Sequence, residues 1–354
     1  MCSAGASLTN PDVGTGIGGT GQLAQRTGIG GTGRPLTLAE VGIGGTGIVG
    51  VVTGFASICV NGEEVHYTAS TPVFRDGEPG STSDLLVGQV VAIRADGALS
   101  EPRERLQASR IAVLNAAVGP LTSVDADSGQ FEVMGQKAQA LASEDLEHLM
   151  PGDWVRVSGL RQADGSIRAS RVEALAAPLA QAQVLGPVLN IDGQQVRIGT
   201  TPVQFRSLPA ALTVGSELVV RGRWTGNVLE AATSAPHPLH AELGAAKDVL
   251  LQAYVHGRRG NELMLGYAIV QLSGATSVSG GQAEAIGINQ PVLVRGKIDA
   301  DQRIVADQLI IGSESGGSGR DGLDRSGRRG SSNGSLIGGG LGGDGGGRRT
   351  GGKR

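Results

Sequence analysis

Two cysteines, Cys2 and Cys59, are all that this 354-residue chain contains, so no disulfide framework can staple it, and a bridge between the two is not expected. Aromatic residues make up only 3%, too few for the interleaved stacking platforms with which single-strand binders hold bases. Of the five histidines, only His237 and His240 lie close together. Pro238 between them prevents a regular helix from aiming both rings at one ion, and only Glu242 is nearby, so neither a metal site nor a cofactor is expected. The folded region has no G-x-S-x-G elbow, and its carboxylates are scattered over turns and a helix start. No catalytic residue is nominated and an enzyme is not expected. No apolar run approaches the length of a membrane span, and no export signal is visible in the sequence as written.

Glycine is abundant, with 60 residues, of which fourteen fall in 1–47 and eighteen in 312–354. Both ends have too few apolar residues to offset ordering entropy, which predicts a disordered Gly-rich leader (1–47) and a disordered Gly/Ser/Arg-rich tail (312–354). The leader repeats "GIGGTG" at Gly16–Gly21, Gly28–Gly33 and Gly42–Gly47. Each copy satisfies G-x-G-x-x-G, which cradles phosphate only between an incoming strand and an outgoing helix. The third copy runs into "IVGVVTGFASICV", a strand pattern, so the repeats read as linker. The net charge of −3 divides into +4 on the tail and −7 on residues 1–311. An acidic body does not suit a nucleic-acid groove.

Between the tails the chain repeats itself. "GVVTGFASICV", "GPLTSVDADSGQFEVM" and "GPVLNIDGQQVRI" begin at Gly50, Gly119 and Gly186, and each opens with Gly and an apolar run, turns, and returns as an alternating strand. A later landmark recurs in "LLVGQVVAIRADG", "LMPGDWVRVSGLRQADG", "LTVGSELVVRGRWTGN" and "INQPVLVRGKIDADQ". Period-2 alternation over about five short strands per unit implies small closed barrels. The fold class expected is all-β: four tandem small antiparallel OB-like barrels at 48–115, 116–176, 184–234 and 249–311. "SEDLEHLM" reads as a short helix capped by Ser143. Pro178 and Ser234–Asp248 read as connectors, and "SGATSVSGGQAEAIG" as an insertion in the fourth unit.

Gly54-Phe55-Ala56-Ser57-Ile58-Cys59-Val60-Asn61-Gly62, with Asp76-Gly77, Leu85-Leu86-Val87-Gly88 and Val91, resembles the repeated bacterial module called domain of unknown function 5666 (DUF5666). The resemblance implies an exported tandem-barrel protein of the periplasm or cell envelope. It brings no catalytic or ligand residue. Its partner would be an envelope ligand or protein, with the membrane reached only through a lipid on Cys2. The alternative is a cytoplasmic chain binding single-stranded nucleic acid or another polyanion through its barrels and basic tail.

Other candidates are few. Cys59 alternates within an apolar strand and reads as a buried thiol. Phe55, Phe131, Trp154 and Phe205 fall at core-type positions. Trp224, beside Arg221 and Arg223 at a hairpin, could form an exposed cation–π platform, the one surface binding site nominated.

Overall fold

Aliphatic residues at alternate positions of short strands build one barrel four times over. The computed structural model describes residues 45–99 and 106–312. The expectations for the leader before Gly45, Cys2 included, and for the tail after Gly312 lie outside the described residues. Barrel 1 contains β1 (Thr46–Phe55), β2 (Ile58–Val60), β3 (Glu63–His66), β4 (Val73–Arg75), β5 (Glu78–Gly80), β6 (Val90–Asp96) and β7 (Leu106–Val113). It closes in the order β1-β2-β3-β7-β6-β1, antiparallel throughout except for the parallel β3–β7 seam. Barrel 2, from β8 (Ala117–Asp125), β9 (Gln130–Val133), β10 (Gln136–Ala140), β11 (Trp154–Arg161) and β12 (Ile167–Ala174), closes in the same way with β10–β12 parallel. Barrel 3 repeats the scheme with β13 (Ala182–Asp192), β14 (Gln195–Ile198), β15 (Thr201–Gln204), β16 (Glu217–Trp224) and β17 (Leu229–Pro236).

The fourth barrel follows α1 (Leu239–Leu243). Its first strand is broken into β18 (Asp248–Tyr254) and β19 (Gly257–Arg259), followed by β20 (Glu262–Met264), β21 (Ile269–Gln271), β22 (Ser277–Ser279), β23 (Pro291–Ile298) and β24 (Ile304–Ile311). The stretch expected as an insertion holds β22, which runs parallel to β24 as β4 runs parallel to β7. It is therefore a counterpart of barrel 1.

All four barrels bulge where the last two strands pair, at Arg94/Ala95, Ser158/Gly159, Arg221/Gly222 and Arg295/Gly296. At Gly222 and Gly296 a Cβ would strike the carbonyl oxygens of Glu230 and Val305. This close approach explains the glycine at the bulge in barrels 2, 3 and 4, where barrel 1 has Ala95.

The barrels are fused rather than strung. β1 pairs in parallel with β18 from Thr46↔Asp248 to Val49↔Leu251, joining barrels 1 and 4 in a 14-stranded sheet; β8 pairs with β13, joining barrels 2 and 3 in a 10-stranded one. Aliphatic residues of barrels 2 and 3 form one continuous core, while Val49, Ala92 and Ala112 of barrel 1 pack into the core of barrel 4.

Several local expectations need correction. Ser234–Asp248 is not a loose connector, because Ser234–Pro236 complete β17 and α1 buries Leu239 and Leu243. Arg94 donates through Nε to the Leu243 carbonyl at 3.1 Å and through Nη2 to those of Ala241 and Glu242, capping the helix end with a cation. Pro178, by contrast, is exposed between β12 and β13. The helix expected from Ser143 is a single 3-10 turn, Ser143–Leu146, whose N-cap is Ala142 without a side-chain bond. The third "GIGGTG" does enter a strand. A Cβ at Gly47 would lie 2.8 Å from Leu243, and one at Gly45 would lie 2.5 Å from the Ala95 carbonyl, so these glycines admit neighbouring protein.

Candidate functional site

Polar residues absent from the barrel interiors gather where barrels meet. Asn115 is the first, a buried amide inside the apolar run "IAVLNAAV". Its backbone N and Nδ2 donate to Asp76 Oδ1 and Oδ2 at 3.1 and 2.8 Å, and its Oδ1 accepts from Ser158 at 2.7 Å. Asp76 sits in a turn with φ +53, next to Gly77 at φ +83. Gln183 of barrel 3 donates to Asp76 Oδ1 at 3.0 Å, Arg221 Nε donates to Gln183 Oε1 at 2.8 Å, and Arg221 Nη2 donates to the Asp76 carbonyl. Burial raises the Asp76 carboxyl above the ordinary range, opposed by the Asn115 and Gln183 donors and by Arg156. Around this knot opens a groove of about 500 Å3 whose lining includes Arg75 (barrel 1), Arg156 (barrel 2) and Arg221 (barrel 3). Arg75 and Arg156 both bond Glu173 Oε1, at 3.2 and 3.4 Å. A second groove, of about 590 Å3, is lined by Arg206, Arg223 and Glu230, and Ala180 and Gln181 border both.

The second cluster lies where all four barrels meet. Arg161, at the end of β11, donates to the carbonyls of Leu185, Ala116 and Gly165 and to Gln136 Oε1. Burial lowers its pKa to about 10, opposed by Glu217. Burial raises Glu217 to about 7, with Arg161 pulling it down. His237 stacks on Tyr267 with ring centroids 4.4 Å apart and accepts at Nδ1 from the Leu239 amide at 3.1 Å. Burial first, then His240 and Arg161, lowers its pKa to about 3. His256 Nε2 donates to the Arg161 carbonyl at 2.9 Å, and burial lowers its pKa. Burial and Glu217 raise the Tyr267 hydroxyl. These side chains enclose a cavity of about 40 Å3, room for a few waters and well below ligand size.

The structure does not assemble the nominated platform. Arg221 is committed to the junction with Asp76 and Gln183. Arg223 is exposed and paired with Glu230 at 2.7 Å, and Trp224 packs against the joint core of barrels 2 and 3. The cation–π contact found among the described residues is Arg110 over Phe74, at 3.5 Å. Phe131 and Phe205 are buried and Trp154 is half-buried, but Phe55 is 41% exposed at the end of β1. Cys59 is not a buried thiol: Ile58 and Val60 take the inward positions, Cys59 is half-exposed, and it is disulfide-bonded. His237 is no solvated connector, since α1 and Tyr267 enclose it. No group of three or more His, Cys, Asp or Glu side chains among the described residues is placed to hold a metal ion.

Fold and seams together define a protein of fused small β-barrels. The family model described as Domain of unknown function (DUF5666) matches residues 46–112 and 118–173, which are barrels 1 and 2. No curated protein and no solved structure matches the chain.

Proposed function

We propose that this chain is a non-enzymatic, envelope-associated scaffold that presents ligand-binding grooves on a rigid block of four barrels. The observation that carries the reading is the contrast between openings. The titratable cluster of Glu217, His237 and Tyr267 surrounds a cavity of about 40 Å3, whereas grooves of about 500 and 590 Å3 open where separate barrels adjoin. Strongly shifted groups in a water-sized space suit a structural weld better than a reaction. The strand order 1-2-3-5-4, closed by a parallel 3–5 seam, supports an OB-like assignment.

The disulfide at Cys59 supports an oxidising, extracytoplasmic setting. The chain has two cysteines, so an intrachain bond would use the sulfur that lipid attachment at Cys2 needs. The test is cell fractionation with thiol alkylation before and after reduction. The envelope reading expects protein in the envelope fraction whose cysteines alkylate only after reduction; cytosolic protein with free thiols would overturn it. The OB-like strand order also favours a second reading, nucleic-acid binding. That reading requires salt-sensitive oligonucleotide affinity, and no binding at about 50 mM salt would remove it.

A further inference from the structure

The groove among barrels 1, 2 and 3 has more guanidinium donors than its own acceptors occupy. An arginine carries five N–H donors. Arg75 spends Nη1 on Glu173 and Nη2 on the Asp84 carbonyl. Arg156 spends Nη1 on the same Glu173 oxygen, and its Nε lies 3.9 Å from Asp76 Oδ2. Arg221 spends Nε on Gln183 and Nη2 on the Asp76 carbonyl. This leaves Arg156 Nη2 and Arg221 Nη1 without a protein acceptor among the described residues, on two side chains that both approach Asp76 and both line the groove. Asp76 is mostly occupied, since its carboxylate accepts from the Asn115 amide, Asn115 Nδ2 and Gln183 and meets Arg156 only through the 3.9 Å approach of Nε.

We infer that this groove binds a compact oxyanion group, a carboxylate above all, held between Arg156 and Arg221 and carried by a small, otherwise polar ligand. The planar forks of two arginines suit a carboxylate, and charge-assisted bonds are the strong ones. Glu78 and Asp84 also line the groove, and their charge disfavours a long polyanion while leaving a single anionic group acceptable. The donors come from barrels 2 and 3 and the turn that orients them from barrel 1, so the site exists only in the fused block. The inference rests on the ligand-binding part of the proposed function and names its chemical class.

The experiment is a titration of the full chain with sodium acetate and, separately, sodium succinate at constant ionic strength, following the arginine side-chain signals by NMR. Saturable shifts at Arg156 and Arg221, with a dissociation constant on the order of 1–10 mM and with Arg223 unmoved, are expected. Arg156→Lys, which keeps the charge and loses the fork, should weaken binding about tenfold. Shifts that do not saturate, or that are equal at Arg223, overturn the inference. If Arg156→Lys fails to fold, the titration of the unaltered protein still decides. A negative result leaves the fusion of the barrels, which unfolding measures separately, untouched.

Discussion

The interiors of the barrels and the seams between them obey different rules. Inside barrel 1, Ile48, Ile58, Ile93 and Ile111 are fully buried, and their contribution comes from apolar area removed from water. In the seams the buried residues include Asn115, Gln136, Ser158, Gln183 and Thr201, each bonded to a partner in another barrel or in the linking chain. Interiors tolerate a change of shape if volume is kept, whereas in a polar seam each buried donor or acceptor that loses its partner carries a cost. The repeat therefore builds the barrels, and the welds join side chains of the repeated stretches, Ser158 and Arg221, to residues between them, Asn115 and Gln183.

The largest expected effect comes from breaking the central weld. Arg161→Ala takes a donor from three carbonyls, of which that of Ala116 still accepts from the Leu185 amide, and from Gln136, and leaves Glu217 without its counter-charge. We expect a loss of about 3–5 kcal/mol, as for breaking a buried ionic network. Trimming one methyl inside a barrel, Ile111→Val, should cost only about 0.5–1.5 kcal/mol. Urea melts of both variants check the pair, and equal losses would erase the distinction between seam and interior.

The weld also predicts an unusual pH profile. In the folded protein Glu217 is raised from 4.5 to about 7 and His237 lowered from 6.5 to about 3, so folding moves a proton from a histidine to a glutamate. The Glu217 contribution is present below pH 4.5 and lost as pH rises through 7. That of His237 is present above pH 6.5 and lost as pH falls through 3. Between these unfolded-state values the two slopes cancel, and for these groups stability is flat. In Glu217→Gln one slope disappears, and stability should climb with pH across the same window. Chemical denaturation at several pH values reads the slope, and a variant as flat as the parent contradicts the assignment.

The smallest effect is expected at the surface. Arg223 pairs with Glu230 in the open, with side-chain exposures of 73% and 47%. Arg223→Gln should change stability by about 0–1 kcal/mol, which a melt places within experimental scatter.

The sequence made the interiors legible and left the seams hidden, for a physical reason. Alternation and glycine landmarks are local signals, and they predicted four five-stranded barrels and the strand after "GIGGTG". Seam partners lie far apart in sequence: Asn115 meets Asp76 across 39 residues, and Arg221 meets Asp76 across 145. On its own strand Arg221 looks like any outward arginine, so the sequence groups it with its neighbours Arg223 and Trp224. One signal was available. A lone amide inside "IAVLNAAV" has no place in a barrel interior and must be bonded somewhere. His237 gave no such warning, since Pro238 and the surrounding composition look like those of a spacer.

Fused strands and shared cores make the four barrels one cooperative block. Scanning calorimetry of the full chain tests it most directly, by comparing the measured unfolding enthalpy with that inferred from the sharpness of the transition. The fused strands and shared cores predict a single transition with the two enthalpies equal. Two or more resolved transitions, or a calorimetric enthalpy several times the van't Hoff value, would mean that the barrels unfold separately and that the polar seams do not weld them.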